Sequence, residues 1–107
     1  MKSLLISAAL VIGLVGISTS SAPASGPVVV KITGFAFSPA TITITKGEAV
    51  EWINEDDAPH TVTSNTGIFK SPTLNKGQSF RHTFATDGAF PYYCTFHRGM
   101  KATVDVK

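Results

Sequence analysis

Four residues of this chain have the chemistry of a redox metal centre. Cys94, the only cysteine, opens the run Cys94-Thr95-Phe96-His97-Arg98-Gly99-Met100, and a second histidine lies upstream in Pro59-His60-Thr61. A thiolate, two imidazoles and a weak thioether form a soft donor set that suits both Cu(I) and Cu(II), with the methionine as a long axial contact. Zinc takes four firm tetrahedral ligands, and a thioether serves it poorly. His60, Cys94, His97 and Met100 are therefore read as the ligands of one type 1 copper ion. The plainer readings are a lone Cys acting as a small buried hydrophobe and Met100 filling the core. A Cys94–His97 nucleophile and base pair is a further alternative. Both residues sit on one tight loop, however, and no orienting carboxylate or oxyanion device is evident in the sequence, so no enzymatic activity is expected.

Such ligands must be presented by a rigid frame, and the chain supplies one by alternation. Val28 to Thr33, Thr41 to Thr45 and Val50 to Ile53 alternate apolar and polar residues, the pattern of half-buried strands. Further strands are expected at His60 to Ser64, Ser79 to Phe84, Ala89 to Cys94 and Ala102 to Val106. No segment has a convincing helical period. Short strands punctuated by Gly, Pro, Asn and Asp imply an all-β sandwich or barrel of mainly antiparallel strands. In Phe90-Pro91-Tyr92-Tyr93-Cys94 the alternation puts Phe90, Tyr92 and Cys94 on one face, so the thiol should emerge from the core side at the end of a strand. Pro91 lacks a ladder donor and should direct its nitrogen away from a neighbouring strand. Trp52 is expected in the core, and His82, sharing strand parity with Phe80 and Phe84, is expected to be structural rather than a ligand.

The N-terminus has a different character. Met1-Lys2, the apolar run from Leu4 to Ile17 and the small residues Ala22-Pro23-Ala24 make residues 1–24 a secretory signal peptide, with residues 25–107 as one small domain. The apolar run is short for a membrane span, which takes about 20 residues. The expected location is the periplasm or another extracytoplasmic space, with no stable membrane insertion. A single cysteine permits no disulfide within the chain. The formal charge of +2 falls to +1 without Lys2, which gives no electrostatic footprint for nucleic acid. Glu55-Asp56-Asp57, just before His60, reads as solvated loop charge, with steering of a charged partner as the alternative.

These residues together carry a family resemblance. Phe35-Ala36-Phe37-Ser38-Pro39, Gly47, Trp52, Pro59-His60-Thr61, Gly88, Tyr92 and Cys94-Thr95-Phe96-His97-Arg98-Gly99-Met100 resemble the cupredoxins, and within them the plastocyanin/amicyanin group. The resemblance implies a Greek-key β-sandwich of about eight strands and one copper ion. It also implies a monomer that shuttles single electrons between larger redox proteins. The alternative function is a copper-binding module for storage, delivery or sensing. The family assigns His60, Cys94 and His97 to equatorial positions and Met100 to the axial one, with His97 as the outward-facing port. It further implies that the Thr61 N–H bonds the Cys94 sulfur and that the Thr61 and Thr95 side chains tie the ligand segments together. Arg98 replaces the proline of many relatives and Ala102 a common glycine. Arg98 thus places a positive charge beside the port, suited to acidic partner surfaces.

Overall fold

The computed structural model describes residues 26–107, so the expected signal peptide at residues 1–24 lies outside the described residues. Eight strands follow in order: β1 (Val28–Thr33), β2 (Ala36–Ser38), β3 (Thr41–Ile44), β4 (Ala49–Asn54), β5 (Thr63–Ser64), β6 (Ser79–Thr83), β7 (Gly88–Tyr93) and β8 (Lys101–Val106). Alternation in the sequence becomes alternation in burial. β1 turns Val30 and Ile32 inward and Val29, Lys31 and Thr33 outward, β4 buries Val50, Trp52 and Asn54, and β8 buries Ala102, Val104 and Val106.

The strands form two four-stranded sheets, ordered β2-β1-β4-β6 and β3-β8-β7-β5. Pairing is antiparallel except for β1 with β4 and β3 with β8, which run parallel. The expected β-sandwich is thus observed, with two parallel pairings created where the chain crosses between sheets. The apolar faces close on an aromatic centre. Trp52 lies 5.7 Å from Phe69, 5.9 Å from Phe80 and 5.4 Å from Tyr92, measured between ring centroids. These separations fall in the range where aromatic pairs add to the gain from burial.

Pro91 behaves as its chemistry requires. It stands opposite Thr103 in β8, but the Thr103 N–H donates to Ala40 on the β3 side. The pair is therefore not hydrogen-bonded across β7 and β8, and no donor is missed. Beyond the two-residue β5, the Pro91 carbonyl accepts from the Asn65 N–H.

The strand expected from His60 to Ser64 is reduced to Thr63–Ser64. The cause is competition for backbone donors. The Thr61 N–H donates to Cys94 Sγ and the Val62 N–H to Ser71 Oγ. His60 keeps only an isolated bridge to Leu74. The segment has exchanged ladder bonds for bonds that hold a sulfur and a turn.

Candidate metal centre

Three connections meet at one end of the sandwich. They are the turn after β1, the segment following β4, and the loop between β7 and β8. β1 and β4 run parallel with Ile32 opposite Asn54, so their ends emerge side by side. Asn54, fully buried, shapes the second connection. Its Nδ2 donates to the carbonyls of Ala58 and Leu74, and its Oδ1 accepts from the Asp56 N–H.

Cys94 follows β7 directly and is fully buried, as the strand parity implies. The loop after it is closed by its own backbone: the Met100 N–H donates to His97, the His97 N–H to Cys94, and the Cys94 N–H to Met100. This folding back presents Cys94 and Met100 to the interior, where both join the buried core, while His97 stays partly exposed.

His60 reaches the sulfur from the other sheet connection. Its Nδ1 lies 3.6 Å from Cys94 Sγ, and its ring meets that of His97 at 5.2 Å between centroids and 77°. The Thr61 N–H donates to Sγ at 3.4 Å, as the resemblance implied. Thr61 Oγ1 accepts from the Thr95 N–H at 2.8 Å and lies 2.9 Å from Thr95 Oγ1. One buried hydroxyl therefore joins the segment carrying His60 to the segment carrying Cys94.

Asp56 is the site residue that sequence reasoning missed. It is not a solvated loop charge: its Oδ2 accepts from His60 Nε2 at 2.9 Å and from the Phe35 N–H at 2.9 Å, and its Oδ1 accepts from the Gly34 N–H at 2.8 Å. Burial raises its carboxyl pKa, but the Phe35 and Gly34 N–H donors and the His60 ring outweigh burial and hold it below the usual carboxylate value. With Nε2–H committed to Asp56, Nδ1 of His60 is left with a lone pair facing the sulfur. The neighbouring acids are surface charges, Glu55 pairing with Lys31 and Asp57 with Lys76. An acid four residues before His60 was the available signal, and its two like-charged neighbours masked it.

The carboxylate found here orients His60, not the His97 of the Cys94–His97 pair considered from the sequence. Asp56, His60 and Cys94 form a carboxylate–imidazole–thiol chain, the order used by cysteine nucleophiles. Cys94 and His60 both have 0% exposure, however. A substrate carbonyl must come within about 3 Å of the nucleophile, and the sulfur is closed to it. The same chain is the one that orients a metal-binding histidine.

The donor types, one thiolate, two imidazoles and a thioether, are those that suit copper. Nε2 of His97 is buried without a hydrogen-bond partner, a state that a metal ion bonded to that nitrogen would relieve. Cys94 and His60 touch, and the His97 ring packs on that of His60. Among the described residues no three His, Cys, Asp or Glu side chains converge closely enough to hold a metal ion: the structure brings His60 and Cys94 together, while His97 meets, of these two, only the His60 ring. His82 stands apart, between Phe69 and Phe84 at 5.0 and 4.7 Å, as a structural residue. Arg98 turns toward the sheet, its guanidinium 5.2 Å from the Tyr93 ring centroid.

Comparison with known proteins bears on the fold and on the class of metal. A family described as copper binding proteins, plastocyanin/azurin family, matches residues 24–107. Amicyanin of Paracoccus denitrificans is 32% identical over 89 residues, covering 78% of this chain and 68% of that protein. A structure of the Cu(I) form of an amicyanin mutant superposes with a TM-score of 0.74 at 32% identity, covering 79% of this chain and 86% of the other. A purple cupredoxin from Nitrosopumilus maritimus gives a TM-score of 0.69 at 32% identity, covering 75% and 99%. The chain belongs to the plastocyanin/azurin family of copper-binding proteins.

Proposed function

We propose that this chain is a type 1 copper electron-transfer protein in which His60, Cys94, His97 and Met100 hold one ion. The observation that carries this reading is the buried Cys94 sulfur, which accepts the Thr61 N–H and stands 3.6 Å from His60 Nδ1. When bound, copper supplies a one-electron Cu(II)/Cu(I) couple. The protein's part is to hold the donors still. Cys94 is fixed by β7 and the Thr61 N–H, His60 by Asp56, and the two segments by Thr61 Oγ1. Donors that move little between oxidation states keep the reorganisation of each transfer small. The Thr61 N–H also stabilises negative charge on sulfur, which tunes the potential. His97, the partly exposed donor, is the route by which an electron reaches the surface.

The reading includes an extracytoplasmic, periplasmic location, from residues 1–24 as a signal peptide, and no enzymatic activity. It also includes a protein partner with an acidic face. Arg98 and Tyr93 line an open cleft with Lys101 and Asn65, beside the loop that carries His97. A basic rim of this kind speeds encounter with an acidic surface in a salt-dependent way.

Copper loading of the full chain tests the centre. The expected result is an intense visible charge-transfer band and a reversible one-electron couple, with the band lost in Cys94→Ala. A colourless form that yields copper readily to chelators and shows no reversible couple would instead favour delivery or storage. For the partner, electron transfer to an acidic redox protein should slow in Arg98→Glu and lose part of its ionic-strength dependence. An unchanged rate and salt slope would refute the acidic-partner reading.

A further inference from the structure

Phe35 occupies a place that neither local preference nor core packing accounts for. The turn between β1 and β2 has two central residues, Gly34 at φ 62° and Phe35 at φ 58°, flanked by the pair Thr33 and Ala36. Two-residue hairpin turns with positive φ at both centres select Gly, Asn or Asp. For a bulky side chain the left-handed region is a true outlier, costing on the order of 1–2 kcal/mol. Burial does not repay that cost, because Phe35 is 53% exposed.

What the strained conformation achieves is position. The Phe35 ring lies over the His97 ring at 4.8 Å with a 35° tilt, and meets the His60 ring edge-on at 5.3 Å. Its N–H is held by Asp56 Oδ2, the same oxygen that accepts from His60 Nε2. The turn and a ligand histidine thus share one carboxylate. Strained residues that persist only because their surroundings over-determine them cluster at functional sites.

We infer that Phe35, latched by Asp56, is a positioning residue that forms the outer wall of the copper centre and shields the His97 and His60 rings from water. The inference rests on the copper-site reading above. An apolar wall beside a metal limits solvent access and lowers the local dielectric, both of which govern the potential and the retention of the ion. Phe35 acts through the histidines and does not itself donate to copper.

The test compares Phe35→Gly, Phe35→Leu and Asp56→Asn with the wild-type full chain. Metal-free Phe35→Gly should unfold at the wild-type temperature or above it, because glycine relieves the strain. Its copper-loaded form should nevertheless surrender Cu(II) to a chelator about tenfold faster, and its reduction potential should shift downward as water reaches the oxidised ion. Phe35→Leu should restore part of both properties. Asp56→Asn, which presents an amide NH2 where the turn or His60 requires an acceptor, should accelerate copper loss as well. Wild-type copper loss and potential in Phe35→Gly would overturn the inference while leaving a coloured wild type, and hence the copper reading, intact. A marked fall in the unfolding temperature of metal-free Phe35→Gly would also overturn it, by showing that the ring serves packing. A wild type that forms no coloured copper complex would overturn both.

Discussion

Replacing Thr61 by valine would test whether one hydroxyl holds the two ligand segments together. Thr61 is buried, and its Oγ1 accepts from the Thr95 N–H at 2.8 Å and lies 2.9 Å from Thr95 Oγ1 and 3.1 Å from Thr63 Oγ1. Valine keeps the volume and β-branching and removes all three hydrogen bonds. At about 0.5–1.5 kcal/mol net for each bond, with the Thr95 N–H losing its partner, the loss should be roughly 2–3 kcal/mol. For a domain of this size that corresponds to roughly 10–20 °C in unfolding temperature. Urea titration of the metal-free protein at fixed pH gives the free energy, and Thr61→Ser should recover most of it. The copper-loaded variant should also lose its ion faster, since the segments that carry His60 and Cys94 are no longer joined. A Thr61→Val protein within about 0.5 kcal/mol of wild type, with unchanged copper retention, would refute the reasoning.

Three further outcomes are expected. Tyr92 is buried, its Oη has only a poorly aligned contact with the Trp52 indole N–H, and burial outweighs that contact and pushes its phenol up to about 12. The unfolded chain therefore ionises this group first, and stability should fall by about 2–3 kcal/mol as pH rises from 10 to 12. Tyr92→Phe should lack that fall and gain about 1 kcal/mol at neutral pH; alkaline denaturation curves superposing on wild type would contradict this. Burial between aromatic rings lowers the His82 pKa from 6.5, so stability present above that pH should decline as acid protonates the unfolded form, and His82→Gln should show a shallower decline in the same titration. Copper at a thousandfold excess over its dissociation constant should stabilise the wild type by about 4 kcal/mol, and Cys94→Ala not at all; equal shifts in thermal unfolding would place the ion elsewhere.

The strands that the alternation foretold lie within a residue or two of their expected ends wherever one face packs on the core. β1 over Val28–Thr33 is an example, because strict period-two burial leaves only one register. The donors were legible for a different reason. Three of the four fall in one loop of seven residues, and their chemistry is distinctive in any context. Asp56 was not legible, because its role depends on the turn at Gly34–Phe35, which parallel pairing of β1 with β4 brings beside it from more than twenty residues away. The truncated β5 was hidden likewise, since nothing local reveals that the Thr61 N–H is reserved for a sulfur.

The direction of β1 gives the molecule a polarity. Its C-terminal end, at Thr33, delivers the chain to the metal-bearing end, so Gly26 and Val28 lie at the opposite pole, roughly 20 Å away along the strand. β1 is also flanked on both sides, by β2 and β4, and cannot peel away without breaking the sheet. Any tether attached ahead of residue 26 would therefore pull on a strand anchored inside the domain and would leave the His97 face turned away from the point of attachment, free to meet a partner.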